Sequence, residues 1–206
     1  MPQSRRYKKK KSAGKAILAW IIVLAILAAA VFVFVSVFYE DTKKKLDEMN
    51  YPRTYSTYVE KAAKDYDLDP ALIYAVIHTE SGFDPKAESG VGAKGVMQMM
   101  PSSFEWLQEQ RGCAGQYTED DLFDPEICID YGSYLLKYFY DYYGTERSAI
   151  AAYNAGFVVS DWLNDTKYSS DGKNLDSIPY PETENYVDKV ESAKEMYIKL
   201  YYSQSN

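Results

Sequence analysis

The stretch DPALIYAVIHTESGFDP, residues 69–85, decides how this chain is read. Asp69 is a residue type that caps helix N-termini, and Pro70 after it suits the first helical position, where no backbone N–H is needed. Leu72 with Val76 and Ile73 with Ile77 recur at spacings of four, which predicts an apolar helix face running to Ser81. Gly82 then breaks the pattern, and Glu80 stands just before it. A carboxyl at the end of an apolar helix, beside a glycine turn, can face a cleft while its helix packs in the core. An apolar surround raises a carboxyl pKa, which suits an acid that must remain protonated near neutral pH. Spacing alone fits a solvated helix-end glutamate equally well.

Outward from this helix the chain continues as short helices broken by polar turns. Asp124-Pro125 repeats the Asp-Pro opening, and Ile127, Tyr131, Tyr134, Leu135 and Tyr138 fall on one helical stripe. Residues 146–154, ERSAIAAYN, end close to Gly156, where a helix C-cap is expected. A last helix is expected from about Thr183 to Tyr202. No long alternating strand pattern occurs, although Gly90 to Met97 could form a small hairpin. The expected class is all-α, or nearly so.

Toward the N-terminus the character changes. Ala16 to Tyr39 is a run of 24 residues without Asp, Glu, Lys or Arg. As a helix it would measure about 36 Å, enough to cross a hydrocarbon layer of roughly 30 Å. Trp20 and Phe38-Tyr39 sit where interfacial rings are expected. Before it, residues 1–15 carry seven positive charges and no acid, so the other 191 residues carry −14, against −7 for the whole chain. Basic residues ahead of a span predict a cytoplasmic N-terminus and an exported body. A cleaved signal peptide, cut near Ala28-Ala29-Ala30, is the competing reading, but it would leave Val31 to Val35 exposed. Residues 40–50, EDTKKKLDEMN, read as a charged stem or frayed helix that keeps a domain spanning 51–206 near the membrane.

The charge balance also excludes a class of partner. An acidic body would repel phosphate, so nucleic-acid binding is not expected. The 206 residues, 47% apolar and 26% charged, are those of a globular protein with one ordinary domain and an attachment segment. Tyrosine is abundant at 21 residues, a type that offers both a flat apolar face and a hydroxyl. Cys113 and Cys128 would both lie outside the cytosol and could form a disulfide. Alternatively they are two independent residues, with Cys128 buried on a helix face. His78 is the only histidine, and neither cysteine fits a ligand pattern, so no metal site is expected. His78 precedes Glu80 by two residues, about 200° around a helix, and should point away from it.

A series of short runs, in order, carries a resemblance. Glu80-Ser81-Gly82-Phe83 and Ser89-Gly90-Val91-Gly92-Ala93 are followed by Gly95-Val96-Met97-Gln98-Met99-Met100-Pro101. Ala152-Tyr153-Asn154-Ala155-Gly156, with Trp162-Leu163, and Pro181-Glu182-Thr183-Glu184-Asn185-Tyr186-Val187 come later. Together these resemble the motif set of the soluble-lytic-transglycosylase (SLT) family, which has a goose-type lysozyme-like helical fold. The likeness spans roughly residues 55–200. Two departures stand out. Gly90 occupies a position where the family often has Pro, and Val96 and Met99 replace the commoner Leu and Ile or Leu, a near-neutral change in volume and polarity.

The resemblance implies that Glu80 is the single catalytic acid. It implies that Ser89 and Gln98 lie near bound sugars, that Met100 lines the site, and that Tyr153 and Asn154 form the cleft wall. Glu182 and Tyr186 would support that wall. Each residue also has a plainer reading, as turn caps for Ser89 and Asn154 and as core filler for the methionines. The implied substrate is the glycan of peptidoglycan, cut between N-acetylmuramic acid and N-acetylglucosamine with a 1,6-anhydro end formed, without metal or organic cofactor. A hydrolytic muramidase on the same fold shares every motif. A non-catalytic wall-binding module would be expected to lack Glu80 or its supporting residues. A phage or conjugation enzyme would keep the chemistry and change only its setting.

Overall fold

The computed structural model describes residues 5–203, with side chains from residue 14 onward. The chain divides into two units, one ending at Asn50 and the other beginning at Tyr51. The basic segment 1–15 falls partly outside the described residues.

The first unit is a single helix, α1 (Arg5–Asn50). Its apolar side chains from Ile17 to Tyr39 are exposed to a degree no water-facing helix would tolerate. Its stretch from Gly14 is long and apolar enough to cross a membrane. The helix runs on through residues 40–50. Asp41 pairs with Lys45 at 2.7 Å and Glu48 with Lys44 at 3.8 Å, the i,i+4 spacing that brings side chains together on one helix face.

The second unit is built from α2 (Ser56–Tyr66), α3 (Pro70–Ser81), α4 (Pro101–Gln110), α5 (Pro125–Tyr143), α6 (Glu146–Ala155), α7 (Val159–Asn164) and α8 (Pro181–Tyr197). Single 3₁₀ turns cover Glu119–Phe123 and Gly156–Val158, and α8 runs on as a π-helical turn over Ile198–Tyr202. Prolines at the first helical position open α3, α4, α5 and α8. The carboxylates of Asp69 and Asp124 accept from the backbone N–H of Ala71 and Glu126, both at 2.9 Å, so the two Asp-Pro openings are true caps.

The centre of this unit is α3, where every residue from Ala71 to Ile77 is buried. It packs on α8 and α2, while α5 packs on α6 and α2. Truncating such a core side chain, Ile77→Ala for instance, typically costs about 2–5 kcal/mol. The stripe expected on α5 is only one flank of the buried surface. Cys128, Ile129, Gly132, Leu136 and Phe139 face inward, whereas Ile127, Tyr134 and Tyr138 lie half-buried at the edge. A helix packed on two sides shows a wider apolar arc than one periodic stripe reveals.

No strand forms among the described residues. The segment expected as a hairpin makes only two isolated antiparallel bridges, Glu88 with Lys94 and Lys94 with Met99. It is a compact loop whose shape depends on clamping from outside.

Candidate active site

Glu80 is the last residue but one of α3. Gly82 follows in the left-handed conformation at φ 59°, and its N–H closes the helix onto the His78 carbonyl at 3.1 Å. Phe83 continues the left-handed turn at φ 71°, a costly conformation for a bulky residue, and buries its ring in the core. Ser81 ties this corner to the loop beyond. Its hydroxyl donates to the Val96 carbonyl at 2.8 Å and accepts from the Phe83 N–H at 3.1 Å.

The loop from Ser89 to Met100 lies against α5 with almost no clearance. Gly95 has φ 76°, and a Cβ there would fall 2.0 Å from the Leu122 carbonyl oxygen and 2.9 Å from the Cys128 sulfur. At Gly132 of α5, a Cβ would meet the Met97 sulfur at 2.5 Å. Both positions need glycine for space, and Gly95 needs it for backbone freedom as well. The Cys128 sulfur accepts from the Met97 N–H at 3.4 Å and approaches the Lys94 carbonyl at 3.8 Å. Lys94 anchors the outer side, its ammonium 3.1 Å from Glu119 and 2.9 Å from Asp120.

Across the Glu80 carboxyl stand two tyrosines. Tyr186 of α8 donates its hydroxyl to Glu80 Oε1 at 2.7 Å. Tyr153 of α6 donates to the Met97 carbonyl at 2.9 Å, which pins the α6 end to the loop. Burial pushes Glu80 up from 4.5 to about 7, and the Tyr186 hydrogen bond opposes that rise. Burial first, and then the nearby Glu80 charge, holds Tyr153 and Tyr186 well above the usual tyrosine range, so both hydroxyls stay protonated donors. The arrangement is a single carboxyl, poised to give and take a proton near pH 7, in a tyrosine-walled corner.

The other expected residues are placed as follows. Gln98 sits at φ 47° and donates to the carbonyls of Ala87 and Gly95, both at 3.0 Å. The Ser89 hydroxyl accepts from the Ala93 N–H at 2.9 Å, the turn-capping role that was its plainer reading. Met100 is 39% exposed where the loop passes into α4, unlike Met97 and Met99, which are core. Asn154 is exposed, and its side-chain carbonyl accepts from Thr183 at 2.8 Å.

Two expectations are corrected. Glu182 stands exposed in the first turn of α8, and the bond to the wall comes from its neighbour Thr183. A helix turns about 100° per residue, so only one of the pair can face inward. Cys113 and Cys128 are free rather than bonded to each other. Cys128 faces the 94–97 loop, whereas the Cys113 sulfur lies 3.3 Å from the Tyr131 hydroxyl, one turn further along α5. Burial raises the Cys128 thiol to about 12, so it acts as packing. His78 turns its ring to Tyr51 at 4.8 Å, where the two stack.

Ser81, Lys94, Cys128, Gly132 and Thr183 hold the site together, yet sequence reasoning gave none of them this part. Ser81 and Thr183 lie inside the quoted motif blocks, which was the one signal available. Among the described residues no group of three or more His, Cys, Asp or Glu side chains could hold a metal ion.

The fold and site define a lysozyme-like helical domain centred on one half-buried acid. The Transglycosylase SLT domain family matches residues 57–175, and the chain belongs to that family. The chain is 32% identical over 146 residues to the soluble lytic murein transglycosylase of Escherichia coli K12, covering 69% of this chain and 23% of that one. It is 30% identical over 170 residues to the membrane-bound lytic murein transglycosylase C of Actinobacillus succinogenes, covering 72% of this chain and 48% of the other. Among solved structures it superposes on an inactive Glu-to-Gln mutant of lytic transglycosylase Slt from Pseudomonas aeruginosa with a TM-score of 0.65 and 30% identity, covering 74% and 25% of the two chains. The chain thus spans a quarter to a half of the length of these relatives.

Proposed function

We propose that this protein cuts the glycan strands of peptidoglycan between N-acetylmuramic acid and N-acetylglucosamine, without consuming water. The observation that carries the reading is the Glu80 carboxyl, raised to about 7 by burial and held by one neutral donor. Glu80 gives its proton to the glycosidic oxygen as the bond to the muramic anomeric carbon breaks. The sugar's own N-acetyl group covers the positive charge at that carbon. The muramic 6-hydroxyl then attacks the same carbon, and the Glu80 carboxylate takes its proton. A 1,6-anhydro end forms and Glu80 is restored. Two-carboxylate glycosidases need a second acid close by. Here burial and a tyrosine account for the Glu80 shift, with no charged neighbour among its causes, which favours the single-acid route.

Gln98, Met100, Tyr153 and Asn154 are assigned to the sugar-facing wall, with Tyr186 and Ser89 behind them. The apolar helix α1 anchors the domain to the membrane. The basic residues before it put the N-terminus in the cytoplasm and the domain outside, where the wall is. The family relationship, including a relative named as membrane-bound, supports this setting.

Mass spectrometry of sacculi digested by the full chain in detergent tests the chemistry. The expected products carry anhydro ends, one water lighter than the reducing ends that a muramidase leaves. Glu80→Gln should fold normally and release nothing. Retained activity in that variant would overturn the assignment.

A further inference from the structure

The outer face of α5 carries a recess that this chemistry leaves unused. Tyr134, Tyr138 and Tyr142 follow one another at spacings of four, and with Lys137 and Asp141 they line a space of about 340 Å³. Tyr138 and Tyr142 stack at 6.3 Å with their planes 15° apart. Trp106 of α4 meets Tyr138 edge-on at 5.0 Å, and Phe157 meets Tyr138 and Tyr142 at 6.2 and 5.8 Å. Tyr142 is 59% exposed and Phe157 50%, so this is an aromatic surface left open to solvent.

We propose that this aromatic recess is a second glycan-binding surface, taking N-acetylated sugars of the same strand whose scissile bond lies at Glu80. The proposal rests on the glycan-cutting reading above. Pyranose rings present flat C–H faces that suit aromatic side chains, and hydroxyl and amide groups that need both donors and acceptors. The tyrosine hydroxyls and the Lys137–Asp141 pair, 2.7 Å apart, supply both. Covering the recess with a second copy of the chain would bury that ion pair at a desolvation cost. A lipid surface fits less well, because the exposed Asp141 would meet anionic headgroups.

Continuity with the cleft gives the second argument. One wall passes from Met100 into α4, which brings Trp106 to the recess six residues later, a rise of about 9 Å. The other wall passes from Asn154 through Gly156 to Phe157, three residues on. Both walls therefore lead into the aromatic surface by short, packed segments.

The test separates binding from cleavage. In full-length Glu80→Gln protein in detergent, Tyr142→Ala should weaken co-sedimentation with purified sacculi roughly five- to tenfold, while Tyr142→Trp retains it. In the active chain, Tyr142→Ala should raise KM for long strands and leave kcat on a four-sugar fragment unchanged. If Tyr142→Ala lowers the melting temperature, Lys137→Ala serves in its place with a several-fold effect. Unchanged sacculus binding in both variants would overturn the proposal. So would a loss confined to anionic liposomes or to self-association. Failure of the wild type to release anhydro products, with sacculus binding still lost in Tyr142→Ala, would sink the catalytic reading and leave this surface standing.

Discussion

Glu80 and Lys94 both approach the Gly95–Met100 loop, and the fold treats their charges in opposite ways. The Lys94 stem is buried, but its ammonium reaches out between two exposed carboxylates, Glu119 and Asp120, whose hydrogen bonds favour the charged form. Glu80 is given no cation. Burial favours its neutral form, and only the Tyr186 hydroxyl stabilises the carboxylate. The loop is therefore fixed by a satisfied charge at one point and meets an unsatisfied one at another. Positioning is served by the first and acid–base chemistry by the second, which is where a fold accepts a cost for function.

The largest expected effect breaks the unsatisfied side. Glu80→Gln keeps an acceptor for Tyr186 and should lower the cleavage rate at least roughly a thousandfold, measured as soluble product from sacculi. The same variant should be more stable than wild type at pH 8. A carboxyl raised from 4.5 to about 7 binds its proton more tightly folded than unfolded, so stability falls as pH rises between those values. The loss amounts to about 3 kcal/mol at most. Thermal melts should therefore separate the two proteins at pH 8 and bring them together at pH 4.

Removing the one stabilising partner comes next. Tyr186→Phe should reduce the rate at pH 6 by roughly tenfold, the scale of a hydrogen bond to a charged group. Because that bond lowers the Glu80 pKa, its loss should move the alkaline fall in activity to higher pH. An unmoved pH profile would mean that the 2.7 Å contact does not tune the acid. On the satisfied side, Lys94→Gln should loosen the loop, giving a several-fold rise in KM with the pH profile unchanged. The smallest effect concerns the cysteines. Reductant should leave the melting temperature where it is, since Cys113 and Cys128 are free. A drop of several degrees would show a bond between them.

The Asp-Pro openings, the apolar run of α3 and the glycine ends were legible because caps and periodicity are local, needing only a few neighbouring residues. Glu80 stood out at the end of an apolar helix, yet spacing alone left it equal to a solvated glutamate. Its one hydrogen-bond donor, Tyr186, lies 106 residues away, and the neighbouring Tyr153 is itself held to Met97 at a separation of 56. The inward half of α5 was underread because its second packing face is created by α6 and the 94–97 loop. Thr183 rather than Glu182 reaches Asn154 because the start of α8 fixes its rotation.

The sequence by itself determined the helical class, a long apolar segment ahead of a separate body, and the ordered motifs that place the chain in its family. Those features are written in local chemistry, or in residue order along the chain. Only the tertiary structure decided that the Glu80 carboxyl titrates near 7, that the two thiols stay apart, and that Gly95 and Gly132 are fixed by lack of room. A pKa and a steric limit are set by whatever lies within a few ångströms, and here those neighbours come from distant parts of the chain.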